Sequence, residues 1–428
     1  MLKRISIATV FLFSGLSVFA QSPVAVVEKP ALDPSVRTEA FEKVWNTVNE
    51  KHYDPSFGGV DWRKVRESYL PKAMAAKTDE ELHAVLRKML SELKLSHYGI
   101  YPRDLASRIS GNAGIGVEPK MIDGQPVVYR VEPGSTGAAA GLKPGLVVQK
   151  VDGKTVAELL KPLEASLAER QLSDRMKTLY RERTTSAFIT GAVDTKVTVE
   201  VQSDKGSSMT VTAVRKAFTG EMSQAIGNFP AQRVEFESKL LDNNIGYIRF
   251  NMWVIPQLPK IRAAIREFAN ARGIIFDLRG NPGGVGGMAP GVAGNLTDRQ
   301  ISLGSMTSRE SSVNFIAYPQ QQPFAGPVVI LTDYGTGSTS EVFAAGMQEI
   351  GRATIIGETS AGAVLPSVFD TLPTGAIFQY AISDYRSPKN VLIEGRGVVP
   401  NIKVLQTRAD LLAGRDPQLE AAVKQILK

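Results

Sequence analysis

Apolar residues repeat at helical spacing from residue 34 to about residue 95, alternate in short runs after Pro102, and form buried runs between helical stretches from about residue 246 onward. In the first region "TEAFEKVWNTVNEKHY" places Phe41, Val44, Trp45 and Val48 three or four positions apart, which predicts one face of a helix. "TDEELHAVLRKMLSELKL" opens with Thr78-x-x-Glu81, a reciprocal capping pattern, and gathers Leu82, Val85, Leu86, Met89 and Leu93 on a second face. His83 lies beside that face and reads as structural, as does His52 ahead of the turn-rich "YDPSFGGVDW".

In the second region "AGIGVEP", "QPVVYRVEPGSTGAAAGLKPGLVVQKVDGKTV" and "TKVTVEVQSDKGSSMTVTAVRKAF" read as short strands punctuated by Gly and Pro turns. They predict a small β-rich domain interrupted by a charged helical insertion over about residues 156–190. In the third region "IGYIRF" predicts a strand and "QLPKIRAAIREFANA" an amphipathic helix. "RGIIFDLRGNPGGVGG" is a buried strand running into a Gly-rich loop, "GPVVILTDYGTGSTSEVFAAGMQEIG" a strand, turn and helix, and "RATIIGETSAG" a further strand and loop. Such alternation predicts an α/β layered core, whose sites lie where strands end and helices begin.

Composition narrows the function. At 428 residues, 43% hydrophobic and 22% charged, the chain has the make-up of a globular protein with room for two or three domains. Lys3 and Arg4 precede "ISIATVFLFSGLSVFA", a pattern that predicts a secretory signal over residues 1–20 and an exported, periplasmic or secreted product. The apolar run is short for a membrane span and no second run approaches it, so no transmembrane segment is expected after signal removal. Basic residues are scattered, which argues against nucleic acid as a partner. The absence of Cys excludes disulfides, thiol catalysis and Cys-zinc sites. With His52, His83 and His97 alone and no H-E-x-x-H, neither a metal site nor a cofactor is expected.

Two loops carry candidate chemistry. "GNPGGVGG" lacks the spacing of a nucleotide cradle, but Gly283 and Gly284 can leave backbone N–H groups open to an oxyanion. The alternative is a plain tight turn. "TGSTS" puts four hydroxyl residues into five positions at the start of a predicted helix. Ser338 follows Gly337 at the helix N-terminus, where N–H groups and the helix dipole favour negative charge, and is the candidate nucleophile. Ser340, beside Glu341, reads as the helix cap. The loop is not G-x-S-x-G, which argues against an α/β-hydrolase.

"GIIFDLRGNPGG", "TGSTSEV", "GETSAG" and "IEGRGVVPNIKV" occur in the order found in carboxy-terminal processing (tail-specific) serine proteases, a family that this chain resembles over nearly all of its length after the leader. "GIGVEP", "VEPGSTGAAAGLKPG" and "KVDG" resemble the family's PDZ domain, and "VDWRKV" with "LSH" its N-terminal domain. The resemblance implies a multidomain α/β protein: a helical N-terminal domain (residues 21–101), a PDZ-like domain (102–217) with the helical insertion, and a layered protease core of crotonase or Clp-protease type (218–428). The chain departs from the pattern twice. Leu146 replaces an acidic residue after "KPG", and Ala363 stands where members with a Ser–Lys dyad carry the lysine.

The tricorn-like branch of this superfamily supplies a different base. By that resemblance His97 is the general base, Ser96 and Glu394 of "IEGRGVVP" hold its imidazole, and Gly283 or Gly284 with Thr339 form the oxyanion hole. Gly114, Ile115, Gly116 and Val117 would receive a substrate's C-terminal carboxylate beside an added β-strand. The expected activity is peptide hydrolysis on unfolded C-terminal tails of protein substrates, in a chain that could be a homo-oligomer. The missing lysine motivates one alternative, a catalytically silent peptide- or lipophile-binding protein. An esterase using the same residues is another.

Overall fold

The computed structural model describes residues 33–101, 113–168, 170, 172–226 and 231–428; the leader-like segment lies outside them. A six-stranded sheet draws its strands from the second half of the chain, in the order Phe236–Leu241, Ile245–Phe250, Gly273–Asp277, Val328–Thr332, Ala353–Gly357 and Ile402–Lys403. The first pairing is antiparallel and the rest are parallel. Successive side chains leave opposite faces of each strand. Ile248, Phe250, Ile274, Phe276 and Ile330 therefore share one apolar core with helices Gln257–Glu267, Met288–Ala293 and Thr339–Glu349. Their neighbours Tyr247, Ile275, Val329 and Leu331 meet Ala422 and Ile426 of helix Pro417–Ile426 on the other face. Parallel pairing brings Asp277 opposite Leu331 and Thr332 opposite Gly357, so the three following loops emerge side by side.

The helical start of the chain does not close its own core. Helices Pro34–Lys51, Trp62–Ala75 and Asp79–Ser91 bury Phe41, Val44, Val48, Leu82, Leu86 and Met89, and the expected cap forms, with Thr78 Oγ1 accepting Glu81 N–H at 3.2 Å. Leu365, Leu372, Ala376, Phe378 and Ala381 complete this cluster from far along the chain. Strand Gly99–Tyr101 pairs antiparallel with Ile377–Ala381, Gly99 opposite Gln379. That pairing delivers residues 96–98 to the loop edge of the six-stranded sheet. His52 Nδ1 bonds Tyr98 OH at 2.6 Å and His83 Nε2 bonds Thr374 Oγ1 at 2.8 Å, which ties both imidazoles into this packing.

Between the two lies an antiparallel sheet of Val117–Ile122, Gln125–Val131, Val147–Val151, Lys196–Gln202 and Ser208–Val214. Helices Val156–Ala168 and Asp174–Ile189 intervene between its third and fourth strands, where the insertion was expected. Leu146 packs against this sheet's apolar cluster, an environment in which an aliphatic side chain fits. No helix among the described residues is long and apolar enough to cross a membrane.

Candidate active site

The Gly-rich loop and the hydroxyl loop interlock at close range. A Cβ added at Gly283 would stand 2.6 Å from Ser338 Cβ and 2.7 Å from Thr339 N, and one at Gly284 2.2 Å from the Trp253 carbonyl oxygen. Both glycines have positive φ, at 97° and 142°, so space and backbone conformation each require the missing side chain. Thr339 Oγ1 donates to the Gly284 carbonyl at 2.9 Å and locks the loops together.

Ser338 is the residue immediately before helix Thr339–Glu349, with φ 51° and ψ −121°, a strained conformation for a side chain bearing Cβ. Its N–H is shared between the Ala363 carbonyl at 2.8 Å and Glu341 Oε2 at 3.1 Å. The capping expectation for Ser340 is corrected: the helix starts one residue earlier, and Ser340 turns inward. Its hydroxyl accepts Trp253 Nε1–H at 2.8 Å and donates to Asn281 Oδ1 at 3.0 Å. A second correction concerns Gly283, whose N–H is already donated to Asn281 Oδ1 at 3.0 Å. The N–H groups of Gly284 and Thr339 have no protein acceptor among the described residues.

Glu341 organises the third loop from within. Its Oε1 accepts Ser360 Oγ–H at 2.5 Å and Gly362 N–H at 2.7 Å, while Oε2 accepts Ala363 N–H at 2.9 Å. Burial pushes its carboxyl up to about 7 against these hydrogen bonds, and the charge of Glu394 adds to the rise. Sequence reading took this residue only as a neighbour of a cap.

Ser96, His97 and Glu394 come together beside that loop. Ser96 N–H donates to Glu394 Oε1 at 2.7 Å and Ser96 Oγ–H to Oε2 at 2.9 Å, while Ser96 Oγ lies 2.6 Å from His97 Nδ1. Val364 N–H also donates to Glu394 Oε2, at 3.0 Å. Ala363 and Val364 thus join the two halves of the site, one through Ser338 and the other through Glu394. A serine has one hydroxyl proton. If it goes to the Glu394 carboxylate, His97 Nδ1 must carry the hydrogen that faces Ser96, leaving Nε2 with a lone pair. His97 is half-buried at a positive φ of 60°. Desolvation, with a smaller push from Arg183, lowers its pKa to about 4, so the ring is neutral at pH 7. No hydrogen bond joins His97 to Ser338 among the described residues. Burial raises the Glu394 carboxyl above its usual range, opposed by the Val364, Ser96 and Leu365 N–H groups and the Ser96 hydroxyl.

A lysine base has no place here. Position 363 is alanine. Lys120 is bonded to Asp333 at 2.6 Å and is held in its charged form.

Residues 244–404, which contain Ser338, Ala363 and Glu394, match the peptidase family S41 domain, and residues 34–91 match the tricorn protease C1 domain. The chain thus carries an S41 peptidase domain. It is a serine-type peptidase and a relative of the carboxyl-terminal-processing proteases. It is 24% identical over 403 residues to a carboxyl-terminal-processing protease of Synechocystis, covering 89% of this chain and 84% of that one. It is also 24% identical to a putative tricorn protease homolog 2 of Streptomyces coelicolor, over 93% of this chain and 33% of the larger relative. The solved photosystem II D1 C-terminal processing protease has a similar fold, with a TM-score of 0.58 and 23% identity over 86% of this chain and 93% of that one. The match to the S41 domain does not favour the silent binding protein as the function. Ser96 and His97 fall just outside both matched segments, so their part in the site rests on geometry alone.

Proposed function

We propose that this S41 peptidase cuts peptide bonds with Ser338 as nucleophile and His97, in place of a lysine, as general base. The observation that carries the reading is the Ser96 bridge between Glu394 and His97 Nδ1, which leaves Nε2 as the basic nitrogen. Ser338 Oγ attacks the scissile carbonyl carbon as His97 Nε2 takes its proton. The N–H groups of Gly284 and Thr339, at a helix N-terminus, receive the oxyanion. Collapse of the tetrahedral intermediate expels the amine, which takes the proton from His97. Water then hydrolyses the acyl-serine with His97 again as base. Catalytic contacts that are loose in a free enzyme tighten around bound substrate, and the His97–Ser338 bond forms at that stage.

Tail recognition belongs to the PDZ-like module. A cleft of about 510 Å³ is lined by Gly114, Ile115, Gly116 and Val117 together with Arg130, Arg233 and Phe236. Gly116 has φ 71°, and a Cβ there would stand 2.3 Å from Ser135 Cβ, so backbone conformation and the close approach of Ser135 both call for glycine at this turn. A C-terminal carboxylate fits such a loop, with the tail added as a strand. The leader pattern supports a reaction outside the cytoplasm.

The test uses one unfolded peptide made with a free C-terminus and with a C-terminal amide. The free form is expected to be cleaved with at least tenfold higher kcat/KM. Equal rates would remove tail recognition while leaving hydrolysis in place.

A further inference from the structure

We propose that Lys120, on the PDZ-like module, is a positioning residue for the nucleophile and oxyanion loops of the core, acting through Asp333. The inference rests on the Ser338 peptidase reading. Lys120 Nζ donates to Asp333 Oδ2 at 2.6 Å across 213 positions of sequence, and each side chain is only 5% exposed. The ammonium also lies 5.0 Å from the ring centroids of Tyr129 and Tyr334. Asp333 follows directly on strand Val328–Thr332, which leads to Ser338. Its other oxygen, Oδ1, accepts Gly280 N–H at 2.8 Å and Gly335 N–H at 2.9 Å.

One carboxylate therefore pins both loops near their origins, the Gly-rich loop at Gly280 and the nucleophile turn at Gly335. Thr336 Oγ1 strengthens the tie by donating to the Leu278 carbonyl at 2.8 Å, and Gly337 N–H by donating to the Asn281 carbonyl at 3.0 Å. The carboxylate is held ionised below its usual range, and in a buried site that requires a counter-charge. Among the described residues no cation of the core is bonded to this oxygen; Lys120 of the neighbouring module is. Tyr334 extends the junction, its hydroxyl bonded to Glu182 of helix Asp174–Ile189 and accepting Met121 N–H at 3.0 Å. Undocking the module would thus unpair Asp333 and release the loops that hold Ser338 against Gly283. Burial alone would drive the Lys120 ammonium to its neutral form, but Asp333 and the nearby acids hold it charged.

The test compares wild type, Lys120→Met, Lys120→Met with Asp333→Asn, and Lys120→Arg. The readouts are kinetics on a small acyl ester too short to reach the module, kinetics on a tailed peptide, and amide exchange of residues 278–285 and 333–340. Thermal unfolding gives the folded fraction of each. Lys120→Met is expected to lower kcat on the ester about a hundredfold with little change in KM, as displaced catalytic groups do, and to speed exchange in both loops. Lys120→Arg, and the double variant that removes both charges, should each recover most of the loss. The proposal is overturned if ester kcat and loop exchange stay at wild-type values while only the peptide KM rises, which would make Lys120 a docking contact alone. It is also overturned if activity falls only in proportion to the folded fraction. Wild-type ester hydrolysis that vanishes in Ser338→Ala checks the peptidase reading separately, and were the wild type inert, loop exchange would still decide the role of Lys120.

Discussion

Ser96 holds Glu394 with two hydrogen bonds, N–H to Oε1 at 2.7 Å and hydroxyl to Oε2 at 2.9 Å, although 298 positions separate them. The serine is thereby fixed as the link between a buried carboxylate and His97 Nδ1. Removing the hydroxyl should leave the imidazole free to turn and to take the other tautomer. Ser96→Ala is expected to lower kcat/KM by about 10²–10⁴-fold, the range of a lost acid–base contribution, while KM for a tailed peptide moves little. Glu394→Gln should fall in the same range. Steady-state kinetics on one peptide checks both.

Gly283→Ala tests the interlocking of the two loops. The added methyl would meet Ser338 Cβ at 2.6 Å, in a backbone with φ 97°. The strain should cost roughly 1–3 kcal/mol of stability, and displacement of Ser338 should cost most of the activity. Thermal unfolding and acylation of Ser338 by a serine-directed reagent measure the two separately. A variant as stable and reactive as wild type would refute the close approach.

The pH dependence is read at the depressed imidazoles of His97 and His52 and the raised carboxyl of Glu341. His97 titrates at about 4, chiefly through desolvation, so the acid limb of kcat/KM should fall between about pH 4 and 5, not near the ordinary 6.5. For stability, His52 is likewise lowered to about 4 by burial. Between about pH 4 and 6.5 the unfolded chain binds more protons at both histidines, so their contribution is present above 6.5 and lost as pH falls through that window. Glu341, raised to about 7, works the other way: its contribution is full below 4.5 and lost as pH rises to about 7. His52→Gln should therefore flatten the rise in unfolding temperature between pH 4 and 6.5. An unchanged slope would remove His52 from the account.

The core was legible because its signals are local. The strands at Ile245–Phe250, Gly273–Asp277 and Val328–Thr332 are apolar runs bounded by turn residues, and Thr78 with Glu81 marks a helix start within four positions. The hairpin of Ile301–Thr307 and Ser312–Ala317 escaped notice because its serines and threonines blur the alternation. In the site, Ser338 stood out through its place between a strand and a helix. Ser96, His97 and Glu394 did not: they were reached only through family resemblance, since 298 positions part the two ends. What brings them together is non-local, the pairing of Gly99–Tyr101 with Ile377–Ala381. Asn281, Ser360 and Glu341 were missed as partners because hydrogen bonds to backbone N–H groups leave no motif.

Ala363 stands where the family resemblance would put a lysine, and its carbonyl accepts Ser338 N–H at 2.8 Å. Adding Ala363→Lys to His97→Ala should recover at least tenfold of the lost kcat/KM, with an optimum shifted to alkaline pH, because a lysine serves as base only when neutral. A pH–rate profile of the double variant decides this, and no recovery at any pH would count against the equivalence of the two positions.

Joint action of Ser338 and His97 is read from cleavage of an unfolded protein with an apolar C-terminal tail. Wild type, Ser338→Ala and His97→Ala would be compared at equal folded concentration, with products read by mass spectrometry. Cleavage by wild type that is abolished in Ser338→Ala and reduced at least a hundredfold in His97→Ala is the expected result. Cleavage that survives in His97→Ala at the wild-type rate would contradict the account and require another base.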